Sequence, residues 1–380
     1  MGVFVTVAFA QELRHKLMHG QSEEYRELAW ELEHEAALCM RQEPLSITRY
    51  PAPSRSGDKH DYYSEGKYEW PDPANPDGPY ITRDGLAYPG RFIAHRAALE
   101  NTNYRILCLA YAGYYLNQPA CLDKAAELMR VWFLDADTMM NPHLNFAQAV
   151  HGKCDGRGIG IIDAKTFIKT IHAMNLIALT GAHADTLARV KAWFGEYLTW
   201  LTTSKNGIDE KNEPTNHMSW WTVQVMACAI DAGNTSLLDE SVALYKTRVL
   251  GQINAQGGFV NELARKRAYF YNLFNLEAAT WLCEMAHLRG IDLWHAQDAE
   301  GRCIENGVRF VMPYVDNPFT WPYPQIVGDK VHDEISLQLG ALRFGIPECE
   351  GINAKRRAFY RRFKDDSVLG SMAFLPKLES

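Results

Sequence analysis

The stretch Leu107-Cys108-Leu109-Ala110-Tyr111-Ala112-Gly113-Tyr114-Tyr115-Leu116, followed by Asn117-Gln118-Pro119, decides the fold. Its residues are apolar nearly all round, as in an inner helix covered on both sides, and the run is too short to cross a bilayer. Asn117-Gln118 then breaks the helix, and Pro119 suits the first turn of the next one. A connection that short makes neighbouring helices antiparallel. Working outward, the periodicity predicts helices over 10–40, 91–117, 119–134, 163–180, 184–204, 216–232, 235–253, 270–289, 301–312, 333–344 and 353–364. Turn signals at Gly181, Asn206-Gly207, Asp231-Ala232-Gly233-Asn234 and Gly290 separate them at short intervals. Repeated hairpins without a composition shift predict an all-α chain with no domain boundary, an α/α toroid or an α-solenoid.

Two regions break the helical pattern. Residues 44–90 hold eight Pro and the aromatic cluster Tyr62, Tyr63, Tyr68, Trp70, Tyr80 and Tyr88. Residues 313–331 set Phe319, Trp321 and Tyr323 among four Pro. Long loops in a compact domain are usually functional, and these two are expected to wall a cleft.

The 380 residues suffice for two ordinary domains or one large helical toroid, and 47% hydrophobic content supports a substantial core. A net charge of −7 argues against a nucleic-acid partner, which needs a basic footprint. It leaves room for an acidic polysaccharide, because a cleft lined locally by Lys and Arg can focus positive potential. Ten Trp and eighteen Tyr suit stacking on sugar rings, although an aromatic-rich core explains them too. Eight Cys without a CxxC pair predict buried free thiols and no zinc or disulfide framework. No segment has the length of a membrane span, and no cofactor is implied. Residues 3–10 are apolar and end in Ala-Phe-Ala, but no basic residue precedes them, so a buried lead-in to the first helix is favoured over a signal peptide. The compartment and the oligomeric state stay open.

The chemistry-bearing candidates are Asn216-His217-Met218-Ser219-Trp220-Trp221 and Glu262-Leu263-Ala264-Arg265-Lys266-Arg267-Ala268-Tyr269-Phe270-Tyr271. An amide, an imidazole, a guanidinium and a phenol suit proton removal beside a carboxylate. The acidic hydrogen of a uronide sits on C5, and a base must take it while an acid protonates the departing O4. Because the carboxylate is already negative, donors must neutralise it where charge develops. Asn216, His217 and Arg265 fit that task, and a guanidinium near Tyr271 would lower its phenol pKa. Taken singly, each has a plainer explanation: a helix start beside a satisfied histidine, a solvated charge run, a core aromatic. Paired carboxylates for glycoside hydrolysis are the alternative, with Asp61, Glu65, Asp72 and Glu262 as candidates. A carbohydrate-binding protein without turnover is the non-enzymatic one. His332-Asp333-Glu334 is a weak metal candidate, read instead as a helix start beside a surface His, and no HExxH supports a zinc hydrolase. Gly156-x-Gly158-x-Gly160 is read as a tight turn whose Asp163 caps the next helix, since no strand precedes it.

These blocks resemble the alginate lyase superfamily of polysaccharide lyases. The likeness is carried by the Asn-His followed by aromatics, by Glu-Leu-x-Arg with a downstream Tyr, and by three further blocks. They are Gly57-Asp58-Lys59-His60-Asp61-Tyr62-Tyr63-Ser64 with Tyr68-Glu69-Trp70-Pro71-Asp72-Pro73, Asp77-Gly78-Pro79-Tyr80-Ile81-Thr82-Arg83-Asp84-Gly85, and Gly156 to Asp163. The resemblance implies an incomplete (α/α) toroid over residues 1–380 and β-elimination on an acidic polysaccharide, leaving a 4,5-unsaturated uronate. It places Tyr271 as acid/base, Asn216 and His217 as the neutralising pair and Arg265 as the assisting cation. Lys59 matches the family's N-terminal lysine, and the expected substrate-binding set is Lys59, His60, Tyr62, Tyr63, Trp70, Arg83, His151, Trp220, Arg267 and Trp321. The better-known alginate lyases space Arg and Tyr seven apart with His next; here the spacing is six and Asn272 follows. Tyr62-Tyr63-Ser64-Glu65-Gly66 and Trp70-Pro71-Asp72-Pro73 are similar to a divergent branch that includes glucuronan-active lyases, so the expected polymer is glucuronan or mannuronate-rich alginate.

Overall fold

A computed structural model describes residues 2–20, 22–315, 317–326 and 335–346. Thirteen helices are seen among the described residues: α1 (Val7–His19), α2 (Glu23–Arg41), α3 (Ala94–Tyr115), α4 (Pro119–Phe133), α5 (Phe167–Ala178), α6 (Ala184–Thr203), α7 (Lys205–Asn212), α8 (Asn216–Ala232), α9 (Thr235–Leu244), α10 (Val260–Leu263), α11 (Ala268–His287), α12 (Ile304–Val311) and α13 (Ile335–Phe344). The strands are short: β1 (Tyr63–Glu65), β2 (Glu69–Trp70), β3 (Ile81–Thr82) and β4 (Phe146–Ala149). The chain divides into two compact units, one of residues 1–211 and 227–234 and the other of 212–226 and 235 onward.

In the first unit α3 is the central helix, buried from Arg105 through Tyr115. It packs against α1, α2, α4 and α5, as its all-round apolar surface demands. The turn at Asn117, in the left-handed region at φ 55°, hands over to Pro119 at the start of α4. In the second unit the corresponding helix is α11, flanked by α10, α12 and α13 and enclosed over most of its length.

Three readings differ from those expected. The helix foreseen over 10–40 is two, because the chain turns at Gly20, whose backbone N–H closes α1 by donating to Lys16 O. Thr6 Oγ1 caps α1 by accepting from Phe9 N. The segment 235–253 is helical only to Leu244; a π turn (Tyr245–Val249) and a 3-10 turn (Leu250–Gln252) complete it. Asn206-Gly207 is not a turn but lies within α7. There Gly207 permits a close crossing: a Cβ would stand 1.9 Å from Leu201 O. The helix expected over 353–364 lies outside the described residues.

The loop region 44–90 is tied down by its strands. β1 pairs in parallel with β4, Tyr63 opposite Phe146 and Glu65 opposite Ala149, so β4 carries one extra residue. The irregularity falls beside Gln148, which adopts φ 49° and donates its N–H to Ser64 Oγ. β2 and β3 form an antiparallel pair.

Asp163 does not cap the following helix, which starts after Thr166. It is a buried acceptor, taking hydrogen bonds from Tyr62 Oη (3.2 Å), Ser64 Oγ (2.6 Å) and Gln148 Nε2 (3.2 Å), with Arg96 Nη1 at 3.4 Å. The charge of Asp163 holds the Arg96 guanidinium above its usual pKa. A buried carboxylate must be so satisfied, and this one staples the aromatic loop to the glycine turn. The turn itself is a 3-10 helix (Gly158–Ala164) that passes close to its neighbours: a Cβ on Gly160 would lie 2.5 Å from Ala147 O.

Among the described residues no helix is long and apolar enough to cross a membrane. Seven cysteines there are free, six of them buried.

Candidate active site

In the second unit α8 begins at Asn216, as the sequence predicts for this Asn-His pair. Its opening N–H is satisfied by a remote side chain: Asn216 N donates to Glu262 Oε1 at 2.7 Å, and Asn216 Nδ2 donates to the same oxygen at 2.8 Å. Glu262 sits on the four-residue helix α10, and both residues are 0% exposed. Arg265, three residues on, places Nη1 4.0 Å from Glu262 Oε2. Its guanidinium carbon lies 3.9 Å from the centroid of the Tyr271 ring, a cation–π stack. One continuous set of contacts therefore joins Asn216, Glu262, Arg265 and Tyr271. His217, half-buried beside Asn216, acts on Glu262 electrostatically. Burial pushes the Glu262 carboxyl above its usual pKa, opposed by the two hydrogen bonds from Asn216 and the charges of Arg265 and His217.

The local scaffold is polar and tight. Asn272 Oδ1 accepts from Phe259 N (2.9 Å), and its Nδ2 donates to Ala268 O (3.1 Å), pinning the segment before α10 against α11. Asn261 Nδ2 donates to Pro214 O at 2.6 Å, holding the approach to α8. Tyr271 itself is 8% exposed and lies in the first turn of α11. Behind α8, Ser219, Gln252 and Asn275 form a buried chain of side-chain hydrogen bonds.

The other expected binding residues of this unit are placed variously. Arg267 is half-buried, with its guanidinium over the Phe270 ring at 4.7 Å. Trp220 is 1% exposed, with Nε1 donating to Phe274 O, and serves the interior. Trp321 is also buried, ringed by Tyr269, Phe310, Tyr314 and Tyr323. In the same loop Phe319 is 91% exposed.

In the first unit Trp70, Tyr80, Tyr88 and His151 form a connected surface of rings, with Arg83 over Trp70 at 5.1 Å. Trp70 is fixed by donation from Nε1 to Leu86 O. Tyr62 and Tyr63 lie deeper: Tyr62 is wholly buried on Asp163, and Tyr63 Oη donates to Glu65 Oε1. Burial raises the pKa of both phenols. Lys59 is exposed, and His60 Nδ1 lies 2.6 Å from Met139 O.

The carboxylates suggested for hydrolysis are engaged elsewhere. Asp61 accepts from Asn141 Nδ2, with His143 Nε2 at 3.3 Å; Glu65 accepts from Tyr63 and from Phe92 N; Asp72 accepts from Ala74 N. Glu262 is held by Asn216. Among the described residues no group of three or more His, Cys, Asp or Glu is arranged to hold a metal ion. His332, Asp333 and Glu334 lie outside the described residues.

Glu262 is the member of this site that sequence reasoning treated only as a hydrolase carboxylate. The Glu-Leu-x-Arg spacing was the available signal, since it puts the carboxylate one turn before Arg265.

Comparison with known proteins follows the same lines. A family model described as alginate lyase matches residues 46–321. No curated protein sequence matches the chain significantly. The crystal structure of an alginate lyase from Bacteroides ovatus is 31% identical, with a TM-score of 0.85 over 93% of this chain and 95% of that one. Alginate lyase A1-III complexed with a tetrasaccharide matches at 17% identity and a TM-score of 0.55, covering 89% of this chain and 86% of that one. The A1-III crystal structure from Sphingomonas species A1 gives 17% and 0.52, covering 89% and 87%; at that identity the likeness is one of fold. The all-α, (α/α)-toroid class expected of the sequence is the class of these neighbours. With most of its length matched by the family model and nearly all of it by the Bacteroides enzyme, the chain belongs to the alginate lyase family of polysaccharide lyases.

Proposed function

We propose that this protein cleaves a 1,4-linked polyuronate, glucuronan or mannuronate-rich alginate, by β-elimination. The observation that carries the reading is the contact set Asn216–Glu262–Arg265–Tyr271, which gathers an amide, a cation and a phenol at the N-terminal ends of α8 and α11. The Bacteroides relative, an alginate lyase by name, supports the substrate class.

In this mechanism the substrate carboxylate meets His217, Arg265 and the remaining amide hydrogen of Asn216. Their positive ends stabilise the charge that spreads into the carboxylate as the C5–H bond breaks. Tyr271 Oη, as phenolate, takes that proton. The C5 electron pair becomes the C4=C5 double bond, the C4–O4 bond breaks, and O4 leaves with the proton carried by Tyr271. The Arg265 guanidinium stacked on the ring sets a positive charge beside the phenol that begins and ends the cycle. One phenol can serve both steps where C5–H and O4 lie on one face of the sugar, as in mannuronate and glucuronate. In guluronate they do not, and His217 is the better placed base.

The test is a panel of polymannuronate, polyguluronate, glucuronan and hyaluronan, followed by ultraviolet absorbance of the conjugated double bond. Growth on polymannuronate or glucuronan is expected. New reducing ends without unsaturation would assign a hydrolase instead, and no product from any polymer would remove the reading.

A further inference from the structure

Glu262 contacts Asn216 and lies beside Arg265, yet it has no place in the elimination itself. Its Oε1 takes both N–H groups of Asn216, while Oε2 has no hydrogen-bond partner and faces Arg265 Nη1 at 4.0 Å. Asn216 Oδ1 is likewise buried without a partner. A helix start can be capped by a local hydroxyl, and Thr215 Oγ1, directly before Asn216, already accepts from His217 N at 3.4 Å, so Glu262 is a second acceptor at this end. Enclosing a half-satisfied carboxyl is a costlier way to cap, because a buried polar atom left unpaired costs about 1–3 kcal/mol. Its arrangement makes sense through what it does to its neighbours.

We propose that Glu262 is a positioning residue, which locks the Asn216 side chain in one orientation and draws Arg265 to the Tyr271 ring. Two bonds from one residue to one oxygen fix the amide relative to its own backbone. A flipped amide would turn its carbonyl oxygen toward the substrate carboxylate and repel it. The inference rests on the lyase reading above and adds to it a residue that never meets the reacting atoms.

The experiment measures kcat and KM for unsaturated-product formation in four proteins: Glu262→Gln, Asn216→Ala, the double variant and wild type. Glu262→Gln is expected to lower kcat at least about 10-fold while KM moves less than about 3-fold, the signature of an interaction made in the transition state. Because Glu262 acts in part through Asn216, the double variant is expected to lose less than the two single losses multiplied. Unchanged kcat in folded Glu262→Gln overturns the proposal, and so do losses that multiply in the double variant. Should Glu262→Gln fail to fold, Glu262→Asp is judged by the same two criteria. Failure of the lyase reading looks different: the wild type itself then yields no unsaturated product.

Discussion

Asn272 directly follows Tyr271, and its contacts explain what it does here. Both ends of its amide are used, one on Phe259 N and one on Ala268 O, in a fully enclosed setting. It therefore fixes the segment that carries Glu262 and Arg265 relative to the helix that carries Tyr271. Asn272→Ala leaves the Phe259 N–H unpaired and is expected to destabilise the protein by about 1–3 kcal/mol. Denaturant unfolding checks this, and an unchanged midpoint would contradict it. At this scale the sequence was partly legible. Asn216 with His217, and Arg265 with Tyr271, stand close enough along the chain to be noticed as pairs. The Asn216–Glu262 contact spans 46 residues and is made by tertiary folding, so no local pattern announces it. Burial hides just as well: Trp220 and Trp321 read as sugar-stacking rings, but their surroundings close over them.

The helices themselves were largely written in periodicity, because an apolar stripe must be buried wherever it occurs. Their ends were harder. Asn206-Gly207 carries a turn signal, yet Gly207 serves a close approach to Leu201 O inside α7. Gly156, Gly158 and Gly160 behave alike, each lying against backbone where a side chain has no room. None of the three needs a left-handed backbone, so their role is steric, not conformational. Gly160→Ala would press a methyl group against Ala147, shifting the 3-10 turn that presents Asp163 to Tyr62 and Ser64. A loss of about 1–3 kcal/mol is expected from such overpacking, seen as a lower thermal midpoint, whereas an unaltered midpoint would show the turn to be compliant.

Across the whole molecule, the class of fold and the family were legible because several blocks recur in one order over more than half of the chain. The chain read as one domain, and its contacts gather into two compact units that divide within α8. Contacts between residues far apart in sequence decide such groupings, and composition does not record them. Polymer preference is less accessible still, since mannuronate and glucuronate share the configuration at C4 and C5. Catalytic residues that act only at C4 and C5 would treat them alike. Tyr271→Phe removes a single oxygen and leaves the ring under Arg265 in place. Its rate of double-bond formation on the polymer that the wild type cuts fastest should fall at least about 1,000-fold with binding largely retained, because the interaction lost belongs to the transition state. A folded Tyr271→Phe protein that still forms unsaturated uronate at the wild-type rate would contradict the account.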